Sequence, residues 1–505
     1  MAVIGRKVLY ATRPETLDWQ SVGAILKSVI ASHRENAGQI RELQKFRLGD
    51  QPVERSEATP GLASYDIVEN RAYEAVAFKV GYELSNPVQF VSASTDKKKT
   101  KKSKYIDMLN KFAKSDGQRG KDIAVADSFF TTGVGYKKCL AKVDFDGDSA
   151  PYITTVLEPD ETFVVYDKAT GVELIAGQSV MKKVPSTDNE YQYRTGVFTD
   201  TEYFEWSSDD EWFEDFDTQP PEITDVNGAP IDSVNGIGLI PITEYMNESI
   251  RVGCFEPAMD LLTAMNALAS NRMEGVENIV RSILVIINAA IEKDENGNPK
   301  FPPVVGGTIM IGNNVANVDA KFISAVLDQL QAQTLKDDWL RAFYRIVGMP
   351  TPGNQGQAQS GGSTGQAEFV RNDWGLADTR ANPTLILFQE SEMKQLRIRL
   401  AICRKIKGVD IGDLTLHDVD VKTTRNKFAN ILTNSQALLT LLRTGISLED
   451  ALWAADIFPD NLAVALRAAT KAAQEKAEQE KSKESEYRQE MSNATQEEVQ
   501  EDEAS

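Results

Sequence analysis

Apolar positions in the first third of the chain recur at helical spacing. Residues 17–46 carry such a stripe, which predicts an amphipathic helix. The same pattern predicts helices over residues 66–84 and 106–130. Asn86-Pro87 ends the second of these helices, because the residue before a proline is disfavoured in the helical conformation, and residues 88–91 read as a strand.

A block of alternating apolar and polar residues follows. It predicts strands over residues 134–140, 152–157, 162–166, 176–182 and 191–206. Asp146-Gly147 lies between the first two of these strands and predicts a hairpin turn. The aspartates of this turn lack the spacing of a twelve-residue calcium loop, which favours a turn over a cation site. An acidic loop at residues 209–217 carries Trp212, Phe213 and Phe216, and we interpret it as a solvated edge with aromatic anchors rather than a chelating site.

The centre of the chain has a characteristic order of elements. A helix over about residues 255–280 leads into a β segment over 282–318, and a second helix follows over 321–347. Residues 353–365 then contain no apolar side chain larger than alanine, which predicts a flexible, hydrated loop. A third helix over 366–407 is interrupted by Gly375 and Pro383, both recognised causes of kinks. Two long helices with a small domain at one end and a loop at the other are typical of a tube wall, not of a catalytic pocket.

The last part of the chain is predicted to return to β structure and then to helices. Residues 414–421 alternate like a strand, and helices are predicted over 428–442, 447–456 and from 461 onward. From residue 471 to the end the sequence holds five basic and eleven acidic residues, a composition typical of disorder.

Charge and composition narrow the possible functions. The chain has 505 residues and a formal net charge of −20, whereas free-standing nucleic-acid binders are usually basic. Nucleic acid is therefore either not a ligand or a passenger that must not adhere. The three cysteines are widely spaced, which indicates reduced, structural residues, and two histidines disfavour a histidine-based metal site or triad. No signal peptide is recognisable, and the longest aliphatic run, residues 283–287, is too short to span a bilayer.

One strongly basic run, residues 97–104, admits two interpretations. It could contact nucleic acid or an acidic partner, or it could be a solvated loop. The second is favoured, because no aromatic residues are interleaved with the lysines as in a stacking platform.

Motifs of enzymes are not completed in this sequence. The glycine-rich stretch 353–365 suggests a phosphate-binding loop, but that motif requires a lysine after its last glycine and Gln366-Ala367-Glu368 stands there instead. Residues 294–299 suggest a calcium loop, but the glycine comes too early and Asn-Gly favours a hairpin. Neither a nucleotide fingerprint, a nucleophile elbow nor a zinc spacing is recognisable.

Several segments, taken in order, resemble those of a known family. They are residues 70–90, 132–136, 157–167, 240–247 and 255–262, and the resemblance that they carry extends over nearly the whole length of the chain. In these segments the chain resembles the portal proteins of tailed bacteriophages, of the type found in long non-contractile-tailed phages.

The resemblance implies an α+β fold with named parts. These are a wing (1–251), stem helix 1 (252–280), a small β-containing clip (281–320), stem helix 2 (321–347), a tunnel loop (348–365), a long kinked helix (366–408), a wing return strand (409–425), a helical crown (426–476) and an acidic disordered tail (477–505).

The resemblance also implies a function and partners. The protein is expected to form a ring of twelve copies at one capsid vertex of the virion, assembled in the host cytoplasm. It would conduct viral double-stranded DNA during packaging and ejection, and it would dock the terminase large subunit and later a head-completion adaptor. Contacts with the major capsid and scaffolding proteins are expected, and neither enzymatic activity nor a cofactor is. An acidic scaffold or adaptor, and a nucleotide-handling enzyme, are the alternatives.

Two sets of site residues follow from the resemblance. The tunnel loop would present Asn354, Gln355, Gln357, Gln359, Ser360, Ser363 and Thr364 to DNA. The clip would bind partner proteins through Ile283, Val285, Ile287, Val304, Val305, Ile309 and Ile311.

Overall fold

The computed structural model describes most of the chain up to residue 425. The described residues are 5–53, 65–93, 100–143, 145–183, 191–209, 215–221, 235–280, 283–287, 319–323, 329–351, 374–425, 438–444 and 451. The chain forms two compact units, one of residues 1–358 with 370–423 and one of residues 359–369 with 424–505. In the second unit, residues 438–443 are helical and overlap the end of the helix predicted over 428–442.

The first unit mixes helices with four sheets, as the predicted α+β class requires. Its helices are α1 (Trp19–Leu48), α2 (Arg71–Glu83), α3 (Thr100–Ser115), α4 (Gln118–Thr132), α5 (Met259–Val280), α6 (Gln329–Val347) and α7 (Trp374–Lys405). Its strands are β1 (Leu9–Ala11), β2 (Gln89–Ser92), β3 (Val134–Ala141), β4 (Tyr152–Leu157), β5 (Thr162–Asp167), β6 (Glu173–Lys183), β7 (Tyr191–Phe198), β8 (Tyr203–Ser208), β9 (Ile242–Met246), β10 (Ile283–Ile287), β11 (Asp319–Ile323) and β12 (Val419–Lys422).

Two sheets pack in the first half of the chain. One has the order β1-β5-β6-β7-β8, with β1 parallel to β5, and the other has the order β4-β3-β9. The apolar stripe of α1 covers one face of the larger sheet around Phe163 and Trp206. The smaller sheet covers part of the opposite face, where Ile242 packs near Val164 and Ala176. The larger sheet is therefore sandwiched between a helix and a second sheet.

Helix α1 is delimited by signals that the sequence carries. The carboxylate of Asp18 accepts a hydrogen bond from the backbone N–H of Ser21 at 2.8 Å, which caps the N-terminus. Gly49 ends the helix with φ of 101°, a left-handed conformation that glycine adopts without strain.

The hairpin turn predicted at Asp146-Gly147 is confirmed. Strands β3 and β4 pair antiparallel, and Gly147 has φ of 87°. The carboxylate of Asp146 accepts hydrogen bonds from the backbone N–H groups of Asp148 and Ser149, at 3.2 and 3.1 Å. This carboxylate therefore organises a turn, as the spacing indicated.

The prediction of one helix over residues 106–130 is wrong. Gly117 has φ of 70°, and the left-handed conformation at this residue separates α3 from α4. The interpretation of the basic run as a solvated loop is also wrong for residues 100–104, which begin α3. Lys102 forms an ion pair with Asp418 at 2.8 Å and lies 3.6 Å from Asp413. Residues 94–99 lie outside the described residues.

Other elements also differ from those predicted, and the strand predicted over 191–206 is divided into β7 and β8, which pair antiparallel. The helix predicted to begin at residue 321 begins at Gln329, because residues 319–323 pair with β10 as the strand β11. The strand predicted over 414–421 is reduced to β12, since Leu416–Asp418 form a 3₁₀ turn closed by reciprocal hydrogen bonds between Thr415 and Asp418. Strand β12 pairs antiparallel with β2.

Helix α7 crosses the first unit with most of its C-terminal half buried. Pro383 lies inside this 32-residue helix. Its apolar side chains Leu385, Phe388 and Leu396 join the largest core cluster, which also contains residues of α2, α4, β3 and α6. The helix therefore connects the strand-rich part of the unit to the α5–α6 pair.

Two glycines of α1 test this packing. A Cβ on Gly23 would lie 2.2 Å from the carbonyl oxygen of Phe216, whereas a Cβ on Gly38 would meet nothing within 4 Å. Gly38→Ala should raise the free energy of unfolding by about 0.5–1 kcal/mol, because alanine restricts the unfolded chain. Gly23→Ala should lower it by about 1–3 kcal/mol through overpacking. Thermal or chemical denaturation of the two variants measures this difference, and equal shifts would contradict the described contact between α1 and residue 216.

Candidate functional site

The predicted site residues are only partly within the described chain. All seven tunnel-loop residues lie outside the described residues, as do Val304, Val305, Ile309 and Ile311 of the clip. Ile283, Val285 and Ile287 lie at alternate positions of β10, whose backbone pairs with that of β11.

Helices α5 and α6 form a pair next to this two-stranded sheet in the chain. Strand β10 follows α5 and β11 precedes α6, so the antiparallel strands connect two helices that run in opposite directions. Arg272 of α5 donates a hydrogen bond from Nη1 to Oε1 of Gln333 of α6, at 3.0 Å. The described elements thus form a helical hairpin with a small sheet between its two arms in sequence.

An extended segment, residues 65–70, is bound along α5. The backbone N–H groups of Tyr65, Ile67 and Glu69 donate to side chains of α5, at 3.1, 2.9 and 2.9 Å. The acceptors follow one another at intervals of four residues along one face of the helix and are Glu274, Ser270 and Asn266. Alternate residues of an extended chain thus meet successive turns of the helix.

The same segment also reaches α6. The carboxylate of Glu69 forms an ion pair with Lys336. Tyr344 donates its hydroxyl hydrogen to Glu74 of α2 at 3.1 Å. Both helices of the hairpin are therefore fixed to the part of the chain that contains α1 and α2.

The chain enters α5 through a tight junction at Arg251. This residue has φ of 56° and is the one non-glycine residue with positive φ among those described. Its guanidinium is buried and binds Glu244 through two hydrogen bonds, at 3.1 and 2.5 Å. A Cβ on Gly133 would lie 2.1 Å from the carbonyl oxygen of Arg251, so the close approach requires glycine there.

The carboxylate of Glu244 is fully satisfied at this junction. The hydroxyl groups of Tyr136 and Tyr166 donate to it at 3.2 and 2.6 Å, in addition to Arg251. Burial raises the pKa of Glu244, but the charge of Arg251 and these hydrogen bonds lower it by more, and the net shift is downward. Glu244 therefore remains ionised and holds strands β3, β5 and β9 together.

A second ion pair closes the other side of the junction. Arg6 binds Glu256 at 2.5 Å, and its Nη1 donates to the carbonyl oxygen of Thr132 at 3.3 Å. The other carboxylate oxygen of Glu256 accepts from the backbone N–H of Gly253 at 2.9 Å. The start of the α5–α6 hairpin is thus tied to the residues that precede β1 and to the end of α4.

A buried network joins α7 to the strand-rich part of the unit. The ammonium of Lys137 on β3 lies 2.5 Å from Oδ1 of Asp122 on α4 and 2.6 Å from Oε1 of Glu392 on α7. Tyr245 donates to the same oxygen of Glu392 at 2.6 Å. Arg399 lies 3.6 Å from Glu392. The side chains of Lys137, Asp122, Glu392 and Arg399 are at most 3% exposed.

The network perturbs its carboxyl groups in opposite directions. Burial raises the pKa of Asp122 to about 6, against the lowering effect of Lys137. Burial also acts on Glu392, but the charges of Lys137 and Arg399 outweigh it, and the pKa of Glu392 is lowered. Glu392 therefore stays ionised to a lower pH than Asp122 does.

This network positions α7 and does not face a substrate. Its ammonium and carboxylates are enclosed by side chains such as Tyr245 and Phe388, whose rings lie 4.5 and 5.5 Å from the nitrogen of Lys137. Among the residues the structure describes, no group of three or more His, Cys, Asp or Glu side chains could hold a metal ion. Within those same residues, no helix is long and apolar enough to cross a membrane.

The described helices on either side of the predicted tunnel loop, α6 and α7, are each anchored to the first unit. Gly348 ends α6 with φ of 75°, and Arg380 of α7 donates to the carbonyl oxygen of Ile346 at 3.2 Å. At the start of α7, Trp374 packs against Tyr82 of α2 with ring centroids 5.7 Å apart. The hydroxyl of Tyr82 binds the carboxylate of Asp378. Helices α6 and α7 thus leave and enter the loop region from fixed positions.

Sequence reasoning did not identify these anchors or the buried network. One signal was present for the network: Glu392, Gln395 and Arg399 occur at intervals of three and four residues, on the same face of α7 as Phe388 and Leu396. Polar residues on an apolar helical face indicate buried pairing. The partners on β3 and α4 are distant in sequence, so no local pattern could identify them.

Comparison with known proteins gives the family of this chain. The model of the family described as phage portal protein, SPP1 Gp6-like, matches residues 26–487. The chain therefore belongs to the SPP1 Gp6-like family of phage portal proteins. The resemblance found in the sequence is confirmed, and so is the predicted portal-family fold.

Solved structures similar to this chain were also found. The neck of an empty GTA particle, computed with C6 symmetry, shares 13% identity at a TM-score of 0.43 and covers 76% of this chain and 90% of its own. The virion of a native gene transfer agent (GTA) particle shares 13% identity at a TM-score of 0.42, and the match covers 83% of this chain and 93% of that one. The neck of a native GTA particle, computed with C12 symmetry, shares 15% identity at a TM-score of 0.40, and the match covers 76% of this chain and 89% of that one. No curated protein sequence matches the chain significantly.

Membership in the family decides between the classes of function considered above. A phage portal protein is a structural component of the virion at the capsid vertex and is not an enzyme. The alternative of a nucleotide-handling enzyme is thereby excluded. The family assignment rests on the match over residues 26–487.

Removing the buried ammonium should strongly destabilise the protein. Lys137→Met leaves Glu392 as a buried carboxylate without its nearest cation, and the expected loss is about 3–5 kcal/mol in the free energy of unfolding. The matched control is Lys394→Met, which removes an ion pair to Glu173 whose lysine is 53% exposed. That change should cost no more than about 1 kcal/mol. Denaturant unfolding of both variants measures the difference, and a loss at Lys137 as small as at Lys394 would contradict the structural role of the network.

The raised pKa of Asp122 predicts a pH dependence of stability. A carboxyl whose pKa is about 6 in the folded chain and 3.8 in the unfolded chain favours folding at low pH, and this contribution is lost as the pH rises through 6. Asp122→Asn does not titrate, so its free energy of unfolding relative to wild type should increase between pH 4 and pH 7. Asp148→Asn, in an exposed turn, serves as the control and should parallel wild type. A constant difference between Asp122→Asn and wild type over this range would contradict the assignment.

Proposed function

We propose that the protein assembles as a ring of twelve copies around an axial channel at one capsid vertex. In this proposal the channel conducts double-stranded DNA into the capsid during packaging and out of it during infection. The described observation that supports it is the pair α5–α6 with β10 and β11 between its arms, fixed by residues 65–70 to the part of the chain that contains α1 and α2. Such a helical hairpin is long enough to form the part of a channel wall that one subunit contributes.

The parts of the chain are assigned to this architecture as follows. Helix α5 spans 22 residues and α6 spans 19, or about 33 and 28 Å at 1.5 Å per residue. We assign them to the stem and the β10–β11 region to the clip, with the second stem helix beginning at Gln329 rather than at residue 321. We assign residues 348–365 to the tunnel loop, α7 to the long kinked helix, β12 to the wing return strand, residues 426–476 to the crown and 477–505 to the tail.

The partners follow from these assignments. The clip would dock the terminase large subunit during packaging, which supplies the power for translocation, and later a head-completion adaptor. Ile283, Val285 and Ile287 occupy alternate positions of β10 and would belong to that contact surface. The wing would contact the major capsid and scaffolding proteins.

The net charge supports sliding of DNA without adhesion. Each copy carries a formal charge of −20, so a ring of twelve presents a strongly acidic body to the phosphates. Repulsion lowers the affinity of the wall for DNA, since counterion release at lysine and arginine contacts is what drives DNA binding. The uncharged tunnel-loop residues Gln355, Gln357 and Gln359 fit a surface past which DNA slides.

The ring is tested by mass photometry and negative-stain electron microscopy of the purified protein. Twelve chains of 55.8 kDa give a particle of about 670 kDa, which should show a central hole. Dimers or open filaments at all protein concentrations, in the presence and absence of scaffolding protein, would contradict the proposal.

Positive charge added to the tunnel loop should slow translocation. Gln357→Lys combined with Gln359→Lys would place 24 additional cations in a ring of twelve, and each would attract a DNA phosphate. The packaging rate, measured as DNA protected from nuclease over time with purified terminase and ATP, should fall severalfold and recover as the salt concentration rises. The neutral variant Gln357→Asn with Gln359→Asn is the control. Equal rates for the two double variants would contradict contact between this loop and DNA.

A further inference from the structure

The larger sheet leaves part of one face uncovered by the described residues. Strands β7 and β8 lie beyond the edge of the smaller sheet, and a groove with a volume of about 710 Å³ opens there. It lies between the larger sheet, the end of β3 and the C-terminal end of α7. Its apolar lining includes Leu140, Val180, Phe198, Tyr203, Ile237 and Ile402.

The floor of the groove is rigid. The ring of Tyr203 lies over Gly196, where a Cβ would come within 2.4 Å of the tyrosine oxygen. The hydroxyl of Tyr203 donates to Glu205 at 2.6 Å, and Arg194 binds the other oxygen of Glu205 at 2.9 Å. Phe198 packs against Tyr203 with ring centroids 4.5 Å apart. The groove is therefore formed before any ligand enters it.

The charge around the groove is opposite to that of the whole chain. Three cations, Lys138, Arg194 and Lys405, and one carboxylate, Glu205, line it. Lys405 donates to the carbonyl oxygens of Gly236 and Ile237, at 2.6 and 3.1 Å, and these hydrogen bonds hold its ammonium group at the rim. An apolar groove with a net positive rim, on a chain of net charge −20, fits an acidic segment that carries large apolar side chains.

One segment of this chain has that chemistry. Residues 209–215 read Asp-Asp-Glu-Trp-Phe-Glu-Asp, with five carboxylates, two aromatic residues and no cation. The residue that follows, Phe216, is buried on the opposite face of the larger sheet against Trp206, with ring centroids 5.5 Å apart. The segment starts at Asp209, directly after β8, and its C-terminal end thus lies across the sheet from the groove of its own chain, which favours the groove of a second copy.

We propose that the groove binds residues 209–215 of a neighbouring copy of this chain, with Trp212 and Phe213 in the apolar part and the carboxylates at the cationic rim. Such a contact joins two different surfaces, and a heterologous contact that repeats around an axis closes a ring. This inference rests on the proposed ring, and it names one of the contacts that holds it together.

Peptide binding tests the groove independently of assembly. The probe is a fluorescein-labelled peptide of residues 208–215, and the receptor is full-length protein with Trp212→Ala and Phe213→Ala, whose own segment cannot compete. Fluorescence anisotropy should show saturable binding that weakens as salt is added. Lys138→Glu with Leu140→Glu in the receptor should weaken it at least tenfold, whereas the control Lys111→Glu, on the exposed face of α3, should not. A peptide with both aromatic residues replaced by alanine should also bind at least tenfold more weakly.

Mixing of variants tests whether the contact joins two copies. The segment variant (Trp212→Ala with Phe213→Ala) and the groove variant (Lys138→Glu with Leu140→Glu) should each lose rings in mass photometry. Their mixture should form dimers, because one intact groove meets one intact segment. Unchanged rings of either variant, or absence of peptide binding to a receptor with a wild-type melting temperature, would overturn the proposal. Peptide binding without dimers in the mixture would show that the segment occupies its own groove and would overturn it as well. If wild-type protein forms no ring, the proposed function fails, and the anisotropy result still decides on the groove.

Discussion

The buried ammonium of Lys137 is the interaction on which the arrangement of the first unit depends. It joins Asp122 on α4 and Glu392 on α7 across the strand β3, and it is enclosed by aromatic rings. A buried charge is costly unless it is paired, so this site constrains three elements to one geometry. Apolar packing alone would tolerate small shifts of α7, whereas a three-way ionic contact does not.

The constraint extends from this site to both ends of the helical hairpin. Helix α7 is held at its C-terminal half by Glu392 and at its start by Tyr82 and Trp374. The entry into α5 is held by the pairs Arg251–Glu244 and Arg6–Glu256. In the proposed ring, α5 and α6 of each copy line the channel, and the channel keeps its diameter because these helices keep their angle to the rest of their own subunit. The backbone at Arg251 is strained, and the hydrogen bonds between its guanidinium and Glu244 offset the cost of this conformation.

The sequence predicted most helices and strands because their apolar periods are strong and local. The α1 stripe, the hairpin turn at Asp146 and the strand block are of this kind. The prediction from sequence failed where the backbone conformation of a single residue, or pairing with a strand distant in sequence, determines the secondary structure. Gly117 divides one predicted helix into two, and residues 321–323, predicted as the start of a helix, instead belong to the strand that pairs with β10. The candidate site could be located only through the family resemblance, because the polar contacts that position it join residues more than 100 positions apart, such as Lys137 and Glu392. The tunnel-loop and clip residues remain predictions.

The most direct test of the account is a cryo-electron microscopy map of the assembled particle at side-chain resolution. The account predicts a twelvefold ring in which α5 and α6 run along an axial channel, with β10 and β11 at one end. The start of α7 should approach the lumen, and Lys137 should remain between Asp122 and Glu392 in every subunit. A map in which the larger sheet, rather than the α5–α6 pair, surrounds the axis would contradict the account, as would a map without a continuous channel.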